Sequence, residues 1–307
     1  LNTVRALFEY GLIRGAELLI KSLPLDVAYL VGGAIGGLAY FFDRRHRKVG
    51  LNNLKSVFGK RKNRKQRRII IKRLYFHLGW VFVEMIRIVR LLKGNNYKRF
   101  IEIKGFERVD ALVSAGRPII FVTAHIGNWE LLGGVMSKLY PKFYSVARTM
   151  DNPFIDRLLN KNRVSVGMGV LKKHGSGRQL LEVLKKGGRI GILVDQNTPT
   201  DNIFVDFLGI KASTPRAVPL LAMKTGAAIM PGYCYRKGSG LSFVIEAGEA
   251  IYPDLRAERE EEIRRIAEGY TKQLEAYILA HPEQWLWLHR RWKTRPPEEE
   301  NSGRKEV

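Results

Sequence analysis

Between residues 101 and 247 short apolar runs alternate with amphipathic stretches, and this alternation restricts the possible fold more than any other feature of the chain. "FIEIKG" alternates with period two, whereas "RPIIFVTAH" and "RIGILVDQ" are continuously apolar and end in polar residues. Between and around them, "NWELLGGVMSKLY", "NPFIDRLLNKN" and "RQLLEVLKKGG" carry apolar residues at three- and four-residue steps. Continuously apolar strands separated by helix-length segments predict an α/β fold with a central, mainly parallel sheet flanked by helices. A parallel pair needs a crossover long enough to hold a helix, and the helices then cover both sheet faces. "FYSVART" reads as a further strand, and "PRAVPLLAMKTG", "AAIMPGYCYR", "LSFVIEAGEAI" and "RAEREEEIRRIAEGYTKQLEAYILAHPEQ" continue the pattern without an internal repeat.

The N-terminal part is different. Residues 27–42, "VAYLVGGAIGGLAYFF", are an apolar run of 16, shorter than the roughly 18–20 residues of a spanning helix. Gly32, Gly33, Gly36 and Gly37 form two overlapping small-xxx-small spacings, which permit close helix contact. Upstream, "LNTVRALFEYGLIRGAELLIKSL" is amphipathic and is followed by no small-residue cleavage site, so the segment is expected to be retained. An N-terminal membrane-associated helical segment is therefore predicted over 1–43, either inserted or docked at the interface; a buried glycine-rich hairpin is the competing reading. From Arg44 to Arg73 there is no acid at all, and a long helix follows over 67–92. The formal net charge of +24 over 307 residues demands an acidic partner: nucleic acid, anionic lipid headgroups or an acidic carrier protein. Cys234 is the sole cysteine, which excludes an intrachain disulfide and a Cys-rich zinc site. Residues 44–297 are read as the catalytic α/β domain, and 298–307 as a flexible tail.

The candidate chemistry lies at strand ends. "PIIFVTA" delivers His125 to the carboxyl end of a strand, where open α/β sheets place their ligand sites. Gly127 allows a tight turn, Asn128 is a good N-cap, and Glu130 falls in the first turn of the next helix, whose positive end can face a developing oxyanion. With 6 histidines and 29 acids, a His-x4-acid spacing arises by chance about as often as not, so the local context carries the argument. "RIGILV" ends in Asp195 and Gln196 at the same predicted sheet edge, where a carboxylate either orients the imidazole or caps a turn-rich loop. Arg148 follows a third strand and suits an anion. No second histidine stands near His125, so no metal is expected, and neither Cys234 nor Thr123 is placed as a nucleophile.

Taken together, "AHIGNWE", "VARTMDNPFIDRLLNKNR", "GILVDQNTPTDNIFVDFLGIKASTPRAVPLLAMKTGAAIMP" and "HPEQWLWLHRRWKTRP" resemble the lysophospholipid acyltransferase superfamily, in its bacterial lipid A biosynthesis (late, Kdo-dependent) branch. The phosphatidylinositol mannoside acyltransferase branch shares these blocks. The resemblance implies transfer of a fatty acyl chain from an acyl carrier protein thioester, or CoA, to a hydroxyl of an anionic membrane glycolipid. It implies no cofactor and a catalytic domain on the cytoplasmic face of the bacterial inner membrane. His125 and Glu130 match the family's His-x4-acid motif, Arg148 its second block, and Asp195 with Gln196 its Asp-Gln pair; Gly127 and Asn128 join the expected substrate-binding set. The basic stretch 44–73 and "HRRWKTR" then face membrane, carrier and acceptor. A basic nucleic-acid-binding protein, with "QWLWLHRRW" stacking bases, is the alternative of another class.

Overall fold

The computed structural model describes residues 3–173 and 175–297, so the tail predicted over 298–307 lies outside the described residues. Four helices come first: α1 (Thr3–Ser22), α2 (Leu25–Phe42), α3 (Arg44–Phe58) and α4 (Arg64–Leu91). The alternating region follows as β1 (Ile101–Lys104), α5 (Phe106–Ser114), β2 (Ile119–Thr123), α6 (Trp129–Leu139), β3 (Phe143–Ala147), α7 (Pro153–Ser165), β4 (Gly169–Lys172), α8 (Gly177–Lys185) and β5 (Arg189–Leu193). After β5 come the hairpin β6 (Asn202–Phe207) and β7 (Ile210–Pro215), then α9 (Ala217–Thr225), β8 (Ala228–Arg236), β9 (Phe243–Ala247) and α10 (Arg259–Ala280).

Seven strands form one sheet in the order β1-β9-β8-β2-β5-β3-β4. The block from β8 to β4 is parallel throughout, while β9 pairs antiparallel with β8 and carries β1 parallel to itself at the edge. The mainly parallel α/β sheet expected from the sequence is present. The segment 202–215 forms a separate antiparallel hairpin whose inner residues Val205, Phe207 and Ala212 are buried in the main core. One face of the sheet packs through Ile120, Val122, Ile190 and Ile229 against α4, α9 and α10, the other through Ile119, Phe121 and Met230 against α5 and α6. β2 and β5 sit side by side at the centre in register from Ile119 opposite Arg189 to Thr123 opposite Leu193. Their next residues lead directly to His125 and Asp195.

The N-terminal hairpin is fastened lengthwise to α4. Arg87 donates to the carbonyls of Ile20 and Leu23 at the α1–α2 junction, and Tyr75 Oη donates to Asp43 Oδ2 at 3.0 Å beyond the other end of α2. Between these points the glycines let the two backbones touch. A Cβ on Gly79 would lie 2.0 Å from the Gly32 carbonyl oxygen, and one on Gly36 would lie 2.3 Å from that of Tyr75. Thus the small-residue spacing found in the sequence serves contact with α4 of the same chain. The remaining surface of the hairpin is apolar and open: Leu30 is 74% exposed, Phe42 73% and Phe8 66%. Among the described residues α2 is the one helix long and apolar enough to cross a membrane by length and composition.

Candidate active site

His125 and Asp195 meet because their strands are neighbours. The His125 ring donates from Nδ1 to Asp195 Oδ1 at 2.8 Å, and the His125 backbone N–H donates to Asp195 Oδ2, also at 2.8 Å. A third donor arrives from the far C-terminal segment, where Trp285 Nε1–H reaches Asp195 Oδ2 at 2.8 Å. Burial by itself would raise the Asp195 carboxyl, but His125 and the Trp285 indole outweigh it and hold the group down to about 2. An ionised carboxylate only accepts, which assigns the Nδ1–H tautomer to His125. Among the described residues no group is bonded to Nε2, and the ring lines a cavity while its edge meets Trp129 at a centroid distance of 5.0 Å.

The turn after His125 is closed from behind. Gly127 has φ +57°, and a Cβ there would fall 1.6 Å from the Cys234 carbonyl oxygen, so glycine is required by both conformation and contact. Its N–H donates to the Gln284 carbonyl at 3.0 Å, and that of Asn128 to the Cys234 carbonyl at 3.2 Å. Asn128 is 1% exposed; Oδ1 caps α6 by accepting from Leu131 N–H, and Nδ2 donates to Glu84 Oε2 at 2.6 Å. Gly127 and Asn128, expected to bind substrate, therefore shape the turn, and their backbone donors are unavailable to an oxyanion. Behind them Glu84 pairs with Arg236 at 2.6 Å, both 1% exposed, while Tyr29 of α2 donates to the same carboxylate. Burial raises the Glu84 carboxyl, against the pull of Arg236, Tyr29 and Asn128. His77 completes the cluster: its Nε2–H donates to the Gly127 carbonyl at 3.0 Å, and burial, then Arg236, hold its ring down to about 3.

Glu130 is not the partner of His125. Arg163 from α7 takes it in a two-pronged pair, Nε to Oε2 at 3.0 Å and Nη2 to Oε1 at 2.6 Å. Both side chains line the cavity of about 220 Å³ that His125 also faces, as do Arg148 and Gln196. Arg148 is exposed and pairs with Asp151 at 3.1 Å. The cavity runs from these polar groups to buried apolar ones, among them Phe121, Leu132, Met136, Phe143 and Met168. Two functional neighbours, Arg163 and Trp285, were not singled out from sequence, although both fall within the blocks that carried the resemblance. Within the "HRRWKTR" block Arg290 and Lys293 are exposed, but Arg291 does not belong to a basic surface: it is 1% exposed and donates to Ser213 O, Gln196 O and Thr214 Oγ1. It fastens the loop after β5 to the hairpin. Cys234 is fully buried with its thiol pushed up to about 12. Among the described residues no cluster of metal-ligating side chains occurs.

Comparison with known proteins identifies the family. The chain is 28% identical over 286 residues, 92% of its length and 90% of the relative's, to the lipid A biosynthesis lauroyltransferase of Escherichia coli. It is 24% identical to the lipid A biosynthesis palmitoleoyltransferase of the same organism, over 89% of this chain and 87% of the relative. The phosphatidylinositol mannoside acyltransferase of Mycobacterium tuberculosis is 27% identical over 62% of this chain and 59% of its own length. The family described as bacterial lipid A biosynthesis acyltransferase matches residues 3–294, and the chain belongs to that family of acyltransferases.

Proposed function

We propose that this acyltransferase moves a fatty acyl chain from an acyl carrier protein thioester to a hydroxyl of a lipid A precursor, with His125 as general base. The single observation that carries the reading is the His125–Asp195 pair at the polar end of a cavity whose other end is apolar. Nε2 takes the acceptor hydroxyl proton as that oxygen attacks the thioester carbonyl. The C–S bond then breaks, and the imidazolium returns the proton to the departing thiolate. Asp195 holds the tautomer and stabilises the imidazolium, as the acidic member of a triad does. Arg148 and the first-turn N–H groups of α6 at Trp129 and Glu130 face the oxyanion, in place of the Gly127 and Asn128 donors. The Glu130–Arg163 pair shapes the wall beside them. The apolar end accepts the acyl chain. A buried Cys234 with a raised thiol supports direct transfer without an acyl-enzyme.

The exposed apolar face of α1 and α2 supports docking on the cytoplasmic face of the inner membrane. An α2 of 18 residues is about 27 Å long, yet it lies along α4 over its whole length. Standing it upright would carry α4 and its buried Glu84–Arg236 pair into lipid, so the hairpin is read as lying in one leaflet. The acid-free stretch 44–73 then meets anionic headgroups and an acidic carrier, each cation gaining about 1 kcal/mol near such a surface. Transfer of label from acyl carrier protein thioester to lipid A precursor, with His125→Ala as control, tests the reaction; acylation of a phosphatidylinositol mannoside in its place would assign the acceptor to the second branch. A stoichiometric acyl adduct formed without acceptor and competent to turn over would remove direct transfer.

A further inference from the structure

Behind the catalytic turn lies a second cavity, of about 880 Å³, which the proposed reaction does not use. Its floor is the outer side of the turn: His77, which holds the Gly127 carbonyl, and Gln284, whose own carbonyl holds the Gly127 N–H. Its walls are Phe76 and Trp80 of α4, with Tyr235 stacked on His281 at 4.3 Å. Its rim carries Lys72, Arg73 and Lys237 against one carboxylate, Glu283.

These cations are not neutralised by the fold. Among the described residues Lys72 and Arg73 form no ion pair, and Lys237 reaches only Glu102, at 3.1 Å with both side chains about half exposed. An exposed pair of that kind is worth little and yields readily to a stronger anion. Arg236, by contrast, is fully engaged with Glu84 and adds no free charge to the floor. A guanidinium and two ammonium groups lining one cleft match a phosphate, which Arg can grip through two N–H donors. The aromatic wall decides what else the phosphate carries. Phe76 and Trp80 are also the side chains on which Gly33 and Gly37 of α2 rest, so the cleft opens beside the hairpin's exposed apolar face.

We propose that this cleft binds the phosphate of an anionic phospholipid, its headgroup between Lys72, Arg73 and Lys237 and its chains along α2. The site is separate from the acyl-transfer cavity, and it rests on the reading of α1–α2 as a membrane-surface element only for the placement of the chains.

The test is titration of the full chain in neutral detergent with dihexanoyl phosphatidylglycerol, dihexanoyl phosphatidylcholine and inorganic phosphate. Phosphatidylglycerol is expected to fill one saturable site per chain, and the triple variant Lys72→Ala, Arg73→Ala, Lys237→Ala to weaken it at least tenfold with an unchanged melting temperature. A control that removes three exposed lysines elsewhere in the basic stretch, Lys48→Ala, Lys55→Ala, Lys60→Ala, is expected to bind as wild type does. Equal binding by the cleft variant, or equal loss in the control, would overturn the site. Inorganic phosphate binding as tightly as phosphatidylglycerol would overturn the lipid assignment, as would displacement of the lipid by a single-stranded oligonucleotide at equal affinity. Sedimentation of the cleft variant and of wild type with vesicles checks hairpin docking separately: loss of docking by wild type with the titration intact would sink the membrane reading and leave the cleft.

Discussion

The two sides of the turn 125–128 each present a buried carboxylate, and they are built for opposite ends. In front, Asp195 is held by an imidazole whose second nitrogen faces a cavity. Behind, Glu84 is held by the Arg236 guanidinium, by Tyr29 and by Asn128, with every partner inside the protein. A carboxylate whose partner can gain and lose a proton suits catalysis. One whose partners are all enclosed does nothing but hold geometry.

That contrast can be broken from either side. His125→Ala is expected to lower transfer at least a thousandfold, the upper range of a general base, with vesicle binding retained; turnover equal to wild type would end the proposal for the front. Asp195→Asn is expected to lower kcat about a hundredfold or more at neutral pH, because the amide can no longer fix the Nδ1–H tautomer. Glu84→Gln leaves Arg236 buried and unpaired, so its main effect is on stability, about 3–5 kcal/mol in urea unfolding. If instead the variant unfolds as wild type does but loses catalysis, the back is chemical and the contrast fails. Gly79→Val forces a side chain toward the Gly32 carbonyl and is expected to cost about 1–3 kcal/mol while loosening α2. Smallest is Arg148→Ala: its exposed pair with Asp151 predicts unchanged melting, and the loss of one solvent-exposed oxyanion partner predicts a several-fold fall in kcat with KM little changed.

Acid sharpens the same comparison, because the two sides titrate in different windows. His77 titrates near 3 when folded against 6.5 unfolded, so the unfolded chain binds the proton first and stability falls as pH drops below about 6.5. Asp195, near 2 when folded against 3.8, adds its own loss only below about pH 4. His289, held near 4 by burial, shares the upper window. Urea midpoints measured from pH 7 to 4.5 are expected to decline in wild type and to decline less steeply in His77→Gln. An unchanged slope would mean that His77 is not the neutral, buried donor to Gly127.

The front of the turn was largely legible in sequence. His125 and Asp195 each follow a continuously apolar strand, and two such strands in a parallel sheet end at the same edge. Which acid bonds the histidine was not legible. Glu130 is 5 residues away and Asp195 is 70, yet the near acid opens a helix and turns toward Arg163, while the far one arrives beside the ring. The back of the turn gave no sequence signal of its own. Glu84, His77 and Tyr29 sit in patterns that read as ordinary amphipathic or apolar helix, and their meeting depends on α2 lying along α4.

By itself, then, the sequence determined the α/β class, the strand ends that carry His125 and Asp195, the glycine at 127 and the apolar, glycine-lined α2. Those follow from local chemistry: alternation of polarity, the φ a turn demands and the apolar character of a helix. Tertiary structure alone decided that Asp195 and not Glu130 holds the imidazole, that Trp285 steadies it from the far C-terminal segment, and that the glycines of α2 meet Gly79 of the same chain. Such pairings are set by which strands and helices become neighbours, and that depends on the packing of the whole sheet and not on distance along the chain.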